Sequence, residues 1–97
     1  MAKKNAMQYV VVRTFSAGVH IGYLAKQSVD GKRVELTDAR RIWSWQGANT
    51  LSEISLRGVG KGSRVSDKVS TITLTEAIEI ITCAPEGQKA LEAASWL

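Results

Sequence analysis

Two turn sequences divide the first half of the chain into three segments with the residue pattern of β-strands. The positions of these turns constrain the fold more than any other feature of the sequence. The first signal is Ser16-Ala17-Gly18 and the second is Asp30-Gly31, a dipeptide typical of β-hairpins. The runs around them alternate apolar and polar side chains and are rich in β-branched and aromatic residues, which indicates strands at 8–16, 19–26 and 33–45. The sequence therefore predicts a three-stranded antiparallel meander.

Two irregular positions predict where these strands bend. Gly22 lies inside the second strand, where a glycine marks a bulge or the close approach of another group to the backbone. The segment 37–39 interrupts the alternation of the third strand, so we expect a bulge there that re-aims the residues after it.

The second half of the chain predicts two short helices on either side of further strands. Thr50 and Glu53 have the spacing of a capping box, and the helix that they begin should end at Gly58. Residues 69–83 resume β alternation with a bend at Glu76, and Pro85 is suited to the first position of a helix that runs to about residue 94. The predicted fold class is α+β: an antiparallel sheet of about five strands with two short helices packed on it.

Size and composition indicate one domain, residues 1–97, in which 1–7 form a flexible N-terminus and 58–68 a flexible basic loop. A net charge of +4, with the basic residues scattered along the chain, favours an anionic partner.

No apolar run approaches the roughly 20 residues that span a bilayer, and the lone Cys83 fits a reducing compartment. We expect a cytoplasmic protein with no membrane partner. The terminal Trp96 is expected to pack under its own sheet or under a partner.

Arginine and tryptophan, which often contact ligands, are most concentrated in the segment Arg40-Arg41-Ile42-Trp43-Ser44-Trp45. On a strand, Arg41, Trp43 and Trp45 project to one face and Arg40 to the other. Two flat aromatic rings beside a guanidinium suit a flat anionic ligand, although tryptophans on a strand also commonly build a core or a subunit interface. The candidate ligand-binding residues are Arg13, Phe15, Arg40, Arg41, Trp43, Trp45, Arg57 and Arg64.

No catalytic constellation stands out. His20 is the only plausible general base and has no sequence-local nucleophile, and Cys83 follows an apolar strand as a core residue would. No group has metal-ligand spacing. The sequence therefore predicts a protein that is not an enzyme and that uses no cofactor and no metal.

Three blocks carry a family resemblance: Tyr9-Val10-Val11-Val12-Arg13-Thr14-Phe15-Ser16-Ala17-Gly18-Val19-His20, Ala39-Arg40-Arg41-Ile42-Trp43-Ser44-Trp45-Gln46-Gly47-Ala48, and Leu74-Thr75-Glu76-Ala77-Ile78-Glu79-Ile80-Ile81. Together they resemble a family of small phage and prophage proteins. The chain is also similar to the Thoeris anti-defence sponge proteins of phages. It departs from their common pattern in the Gly/Lys/Arg-rich loop at 58–64.

The resemblance implies a function that composition and spacing do not. Thoeris sponges bind and sequester the cyclised ADP-ribose signal of bacterial TIR-domain enzymes, some also hold cyclic oligonucleotides, and they do not destroy the ligand. They are β-rich homo-oligomers with pockets between subunits. The resemblance thus implies a phage protein that forms a homo-oligomer, a dimer or higher, and that sequesters a cyclic nucleotide in the host cytoplasm. The alternative is a basic phage accessory protein that binds nucleic acid or a host protein, since the isoelectric point is near 9.5.

Overall fold

The computed structural model describes residues 7–94 of the 97-residue chain. The predicted flexible N-terminus lies outside the described residues except for Met7, and so does Trp96. The elements are, in chain order, β1 (Tyr9–Thr14), β2 (Val19–Gln27), β3 (Val34–Ser44), α1 (Leu51–Arg57), β4 (Arg64–Val65), β5 (Val69–Leu74), β6 (Ala77–Thr82) and α2 (Pro85–Ala93). The predicted α+β class is confirmed: one antiparallel sheet carries two packed helices.

The sheet curls because its last two strands reach opposite edges of the meander. Strands β1, β2 and β3 pair in sequence order as predicted, while β4 and β5 both pair with β3 and β6 pairs with β1. Only Thr75 and Glu76 separate β5 from β6. The bend predicted at Glu76 is therefore present, and it carries the chain from one side of the meander to the other.

Both faces of the curled sheet are buried, in two separate apolar clusters. Tyr9 and Val11 belong to the helix-side cluster, which includes Ile54 of α1 and Leu91 of α2. The alternate residue Val10 belongs to the inner cluster, formed by β1, β3, β5 and β6 across the inside of the curl. Alternation along one strand thus supplies two cores, which is how a chain this short buries apolar side chains on both faces of its sheet.

A bulge in β3 decides which side chains face which cluster. Asp38 has a φ of 49°, and Asp38 and Ala39 of β3 stand against the single residue Gly22 of β2 at this point. Opposite the bulge, a Cβ on Gly22 would lie 3.0 Å from the Thr37 carbonyl oxygen, so the predicted close approach at this glycine is confirmed. The bulge reverses the alternation: Leu36 and Ala39 both join the inner cluster. Every residue after it faces the opposite way from an unbroken strand.

The two helices pack against each other on the helix side of the sheet. As predicted, the Thr50 hydroxyl accepts from the Glu53 amide (3.3 Å) and the chain leaves α1 at Gly58, with a φ of 82°. The Glu53 carboxylate reaches back to the amide of Asn49 (2.7 Å). Helix α2 begins at Pro85, and Gly87 lies so close to the carbonyl group of Ser55 that a Cβ would overlap it. The absent side chain allows the helix backbones to touch.

Candidate functional site

The consecutive residues Arg40 and Arg41 point to opposite sides of the sheet, as the sequence predicted, and their environments are very different. Arg40 is 6% exposed on the helix side, whereas Arg41 is exposed on the other side. The β3 bulge sets this orientation, because without it the two arginines would exchange faces.

Arg40 holds the end of α2 against the sheet. Its guanidinium donates to the carbonyl oxygens of Ser66 (2.7 Å), Leu91 (3.0 Å) and Ala94 (2.6 Å), with longer contacts to those of Glu92 and Val65. The last carbonyls of a helix are unpaired and lie at the negative end of its dipole, so a buried cation is well placed there. Arg40, one of the candidate ligand-binding residues, thus has its donors engaged inside the protein.

Arg41 and Trp43 form an exposed surface on β3, and Arg41 also lines a small cleft beside it. Trp43 is 67% exposed, and the two side chains share a face of the strand. The cleft has a volume of about 260 Å³ and is lined by His20, Ala39, Arg40, Arg41, Ser66, Val69 and Ile72. We call it the His20 cleft. Within residues 7–94, the Arg41 guanidinium makes no hydrogen bond or ion pair.

His20 contributes the buried polar group of the cleft. It lies directly opposite Arg41 in the β2–β3 ladder and is 0% exposed. Its Nε2 lies 3.0 Å from the Ala17 carbonyl oxygen, which can only accept, so Nε2 carries the proton. Burial, and secondarily the Arg41 charge, lower the pKa of His20, so its ring is neutral at pH 7. Nδ1 is therefore an acceptor, and no described group donates to it.

Trp45 lies apart from this surface, so the prediction that it shares a face with Arg41 and Trp43 is wrong. Strand β3 ends at Ser44, and Trp45 packs half-buried against the helix-side cluster. It lines a second cleft of about 350 Å³ with Arg13 and residues at the start of α1. The alternation rule fails here because it holds only while the strand continues, and β4 also pairs irregularly at this end of β3.

The other candidate residues are dispersed. Phe15 is 77% exposed in the β1–β2 turn. Arg57, in the last turn of α1, forms an ion pair with Glu53 (3.7 Å). Arg64 lies in β4 opposite Ser44, so the segment predicted as a flexible basic loop contains a paired strand. The structure thus brings together Arg41 and Trp43 at one place and Arg13 and Trp45 at another.

Sequence reasoning did not select His20, Ser66 or Val69 for the site. Each is far from Arg41 in the sequence or on another strand, and their meeting depends on the pairing of β3 with β2 and on the approach of the β4–β5 segment. The available signal was a histidine two residues before the strand glycine Gly22. That His20 lies opposite Arg41 is shown only by the register of β2 on β3.

The described part of the chain contains neither a cluster of metal-ligand side chains nor a helix that could span a membrane. Among residues 7–94, no three His, Cys, Asp or Glu side chains group as metal ligands do. Neither helix within that range has the length and apolar character needed to cross a bilayer. Cys83 is half-buried against the helix-side cluster, and burial raises the pKa of its thiol to about 12.

The chain was compared with family models, curated proteins and solved structures. No curated protein and no solved structure shows significant similarity to the chain. Residues 7–91 match the family model described as a domain of unknown function, DUF6948. This match covers both clefts and nearly all elements of the fold. The chain therefore belongs to the DUF6948 family.

Proposed function

We propose that this protein binds a small anionic nucleotide at the His20 cleft and the adjoining Arg41–Trp43 surface, and that it holds the ligand without changing it. The observation that carries the proposal is an exposed guanidinium, without a partner among residues 7–94, beside an exposed indole at an apolar cleft. The indole of Trp43 offers an uncovered aromatic face, and no residue among 7–94 occupies the Arg41 guanidinium.

Each of the three polar or aromatic groups matches one part of a nucleotide. The Arg41 guanidinium can bind a phosphate through two parallel hydrogen bonds. The face of Trp43 can stack on a base, and such stacking contributes about 1–3 kcal/mol per base. The Nδ1 atom of His20 has no donor among residues 7–94, and a ribose hydroxyl or an exocyclic amine would supply one. Because this atom is buried in the free protein, the contact requires side chains of the cleft to move when the ligand binds.

The chemistry of the cleft favours binding over catalysis. Ser66 is the hydroxyl residue that lines it, and its oxygen accepts from the Arg41 amide (2.9 Å) and donates to the Asp67 carbonyl (3.1 Å). It therefore has no hydrogen bond to His20 that would activate it as a nucleophile. The resemblance to Thoeris sponges supports the finer proposal that the ligand is a cyclic ADP-ribose isomer or a cyclic oligonucleotide, sequestered by a phage protein in the host cytoplasm.

Calorimetry against cyclic ADP-ribose isomers and cyclic di- and trinucleotides tests the proposal. Arg41→Ala should weaken binding about 10- to 100-fold, the loss expected for charge-assisted hydrogen bonds. Trp43→Ala should weaken it by a similar factor through lost stacking. Arg33→Ala, which removes an exposed arginine outside the cleft, is the matched control and should leave the affinity unchanged.

Three outcomes would contradict the proposal. Absence of heat with every nucleotide in the panel would exclude this ligand class. Binding to DNA or RNA that weakens steeply with salt would favour the nucleic-acid alternative. A ligand recovered chemically altered after heat denaturation of the complex would identify an enzyme.

A further inference from the structure

Strand β6 has the composition of an interior strand but the position of an edge strand. It pairs with β1 alone among residues 7–94. Its Ile80 and Ile81 stand opposite Val12 and Val11, which are completely buried, yet both isoleucines are only half-buried. Ile78 is 55% exposed. The cover that these side chains lack would lie on the side of β6 away from β1.

The backbone of β6 is also open on that side. The Cys83 amide donates to the Tyr9 carbonyl (2.8 Å), so in this register the hydrogen-bonded pairs are Tyr9–Cys83, Val11–Ile81 and Arg13–Glu79. The alternate residues Ile80 and Thr82 therefore direct their N–H and C=O groups away from β1. No described strand lies beyond them.

Strand β6 has few of the features that protect an edge from pairing. Natural edge strands are usually guarded by lysine, proline, an inward charge or a bulge along the edge. Strand β6 contains neither lysine nor proline, its one charge is Glu79, and its bulge is confined to its first residues. Strand β5 is the less suitable edge, because its exposed side chains are mostly Ser and Thr.

We propose that the open edge of β6 pairs with the same edge of a second copy of this chain, which continues the sheet across a two-fold axis. An antiparallel pair of identical strands is self-complementary. The residues with outward N–H and C=O groups must face one another, so Ile80 pairs with Ile80 of the second copy and Ile78 with Thr82. Two neighbouring registers also bring outward groups together, and both are less favourable. Pairing Ile78 with Ile80 would place Glu79 opposite Glu79, which charge repulsion disfavours. Pairing Ile80 with Thr82 would place Ile78 opposite Ala84, whose amide already donates to the Ser55 carbonyl oxygen.

Sedimentation velocity over a concentration series tests the interface. The wild-type chain should reach twice its 10.6 kDa mass. Ile80→Pro removes an amide that β1 does not use, so the monomer should remain folded by circular dichroism while the dimer weakens about 10- to 100-fold, as expected for two lost hydrogen bonds. Ile80→Val keeps the amide and should keep the dimer. A wild-type chain that remains monomeric at its highest soluble concentration, or a dimer that the proline leaves unchanged, overturns the proposal.

Disulfide trapping tests the register independently and needs no proline. In a Cys83→Ser background, Ile80→Cys should form a covalent dimer rapidly, because hydrogen-bonded antiparallel partners have Cα atoms about 5.5 Å apart, within disulfide range. Glu79→Cys should cross-link more slowly, since its mate would be a diagonal neighbour roughly 7–8 Å away. Faster trapping at position 79, or no trapping at either position, contradicts the proposed pairing.

Discussion

Replacing Arg40 with alanine should destabilise the fold more than any other change of a charged side chain among the described residues. The guanidinium is buried and donates to three carbonyl oxygens at 3.0 Å or less, two of them at the end of α2. Hydrogen bonds to charged groups contribute about 1.5–3 kcal/mol each, but the desolvation of the cation offsets part of that sum. We expect the free energy of unfolding to fall by about 3–5 kcal/mol.

Urea denaturation followed by tryptophan fluorescence measures this loss. The free energy of unfolding of a domain is only about 5–15 kcal/mol, so Arg40→Ala would leave the folded state only slightly more stable than the unfolded state. Arg40→Lys retains the charge with fewer donors and should lose about half as much, which keeps the measurement possible if the alanine variant does not fold. Hydrogen exchange should show that the α2 amides lose protection first, because Arg40 joins this helix to β3.

Arg41 provides the matched control on the same strand. It is exposed and has no side-chain partner among residues 7–94, so Arg41→Ala should change stability by no more than about 0.5 kcal/mol. A loss below about 1 kcal/mol for Arg40→Ala, or equal losses for the two alanine variants, would refute the structural role assigned to Arg40.

Four further substitutions test other parts of the fold. Burial holds the pKa of His20 below its ordinary value of 6.5, so the unfolded chain takes up a proton at a higher pH than the folded one. The melting temperature should therefore fall as pH drops through 6.5 towards the folded pKa, and His20→Gln should flatten that part of the profile. Gly87→Ala would force a Cβ into the Ser55 carbonyl and should cost about 1–3 kcal/mol or more in urea denaturation. Gly18→Ala meets no atom within 4 Å and should cost only the strain of a φ of +87°, about 1–2 kcal/mol; a larger loss at Gly18 than at Gly87 would contradict the helix contact. Thr50→Ala should cost about 1 kcal/mol through the lost cap, and an unchanged urea midpoint would show that the cap does not contribute.

Features governed by neighbouring residues were predictable from the sequence. Gly18 and Gly31 both have positive φ in the turns where the sequence placed them. The Thr50 cap, the first-turn position of Pro85 and the β3 bulge follow from local backbone preferences in the same way. These preferences act over a few residues, so the residue types alone reveal them.

The candidate site was only partly predictable. The opposite orientation of Arg40 and Arg41 follows from strand alternation. The burial of Arg40 does not, because the carbonyls that it binds belong to α2 and to the segment before β5. Trp45 was assigned to the wrong face because alternation says nothing about where a strand ends.

The sequence by itself determined the longer strands, the turns between them and the α+β class, since alternation and turn chemistry are properties of short segments. It did not reveal the two-residue strand β4, which lies in the segment predicted as a flexible loop. Tertiary structure decided which side chains meet: the curl of the sheet, the register of β2 on β3 and the docking of α2 set His20 beside Arg41 and enclosed Arg40. The physical reason is that a side chain's partners across a sheet depend on contacts between residues far apart in the chain, and no short segment encodes those contacts alone.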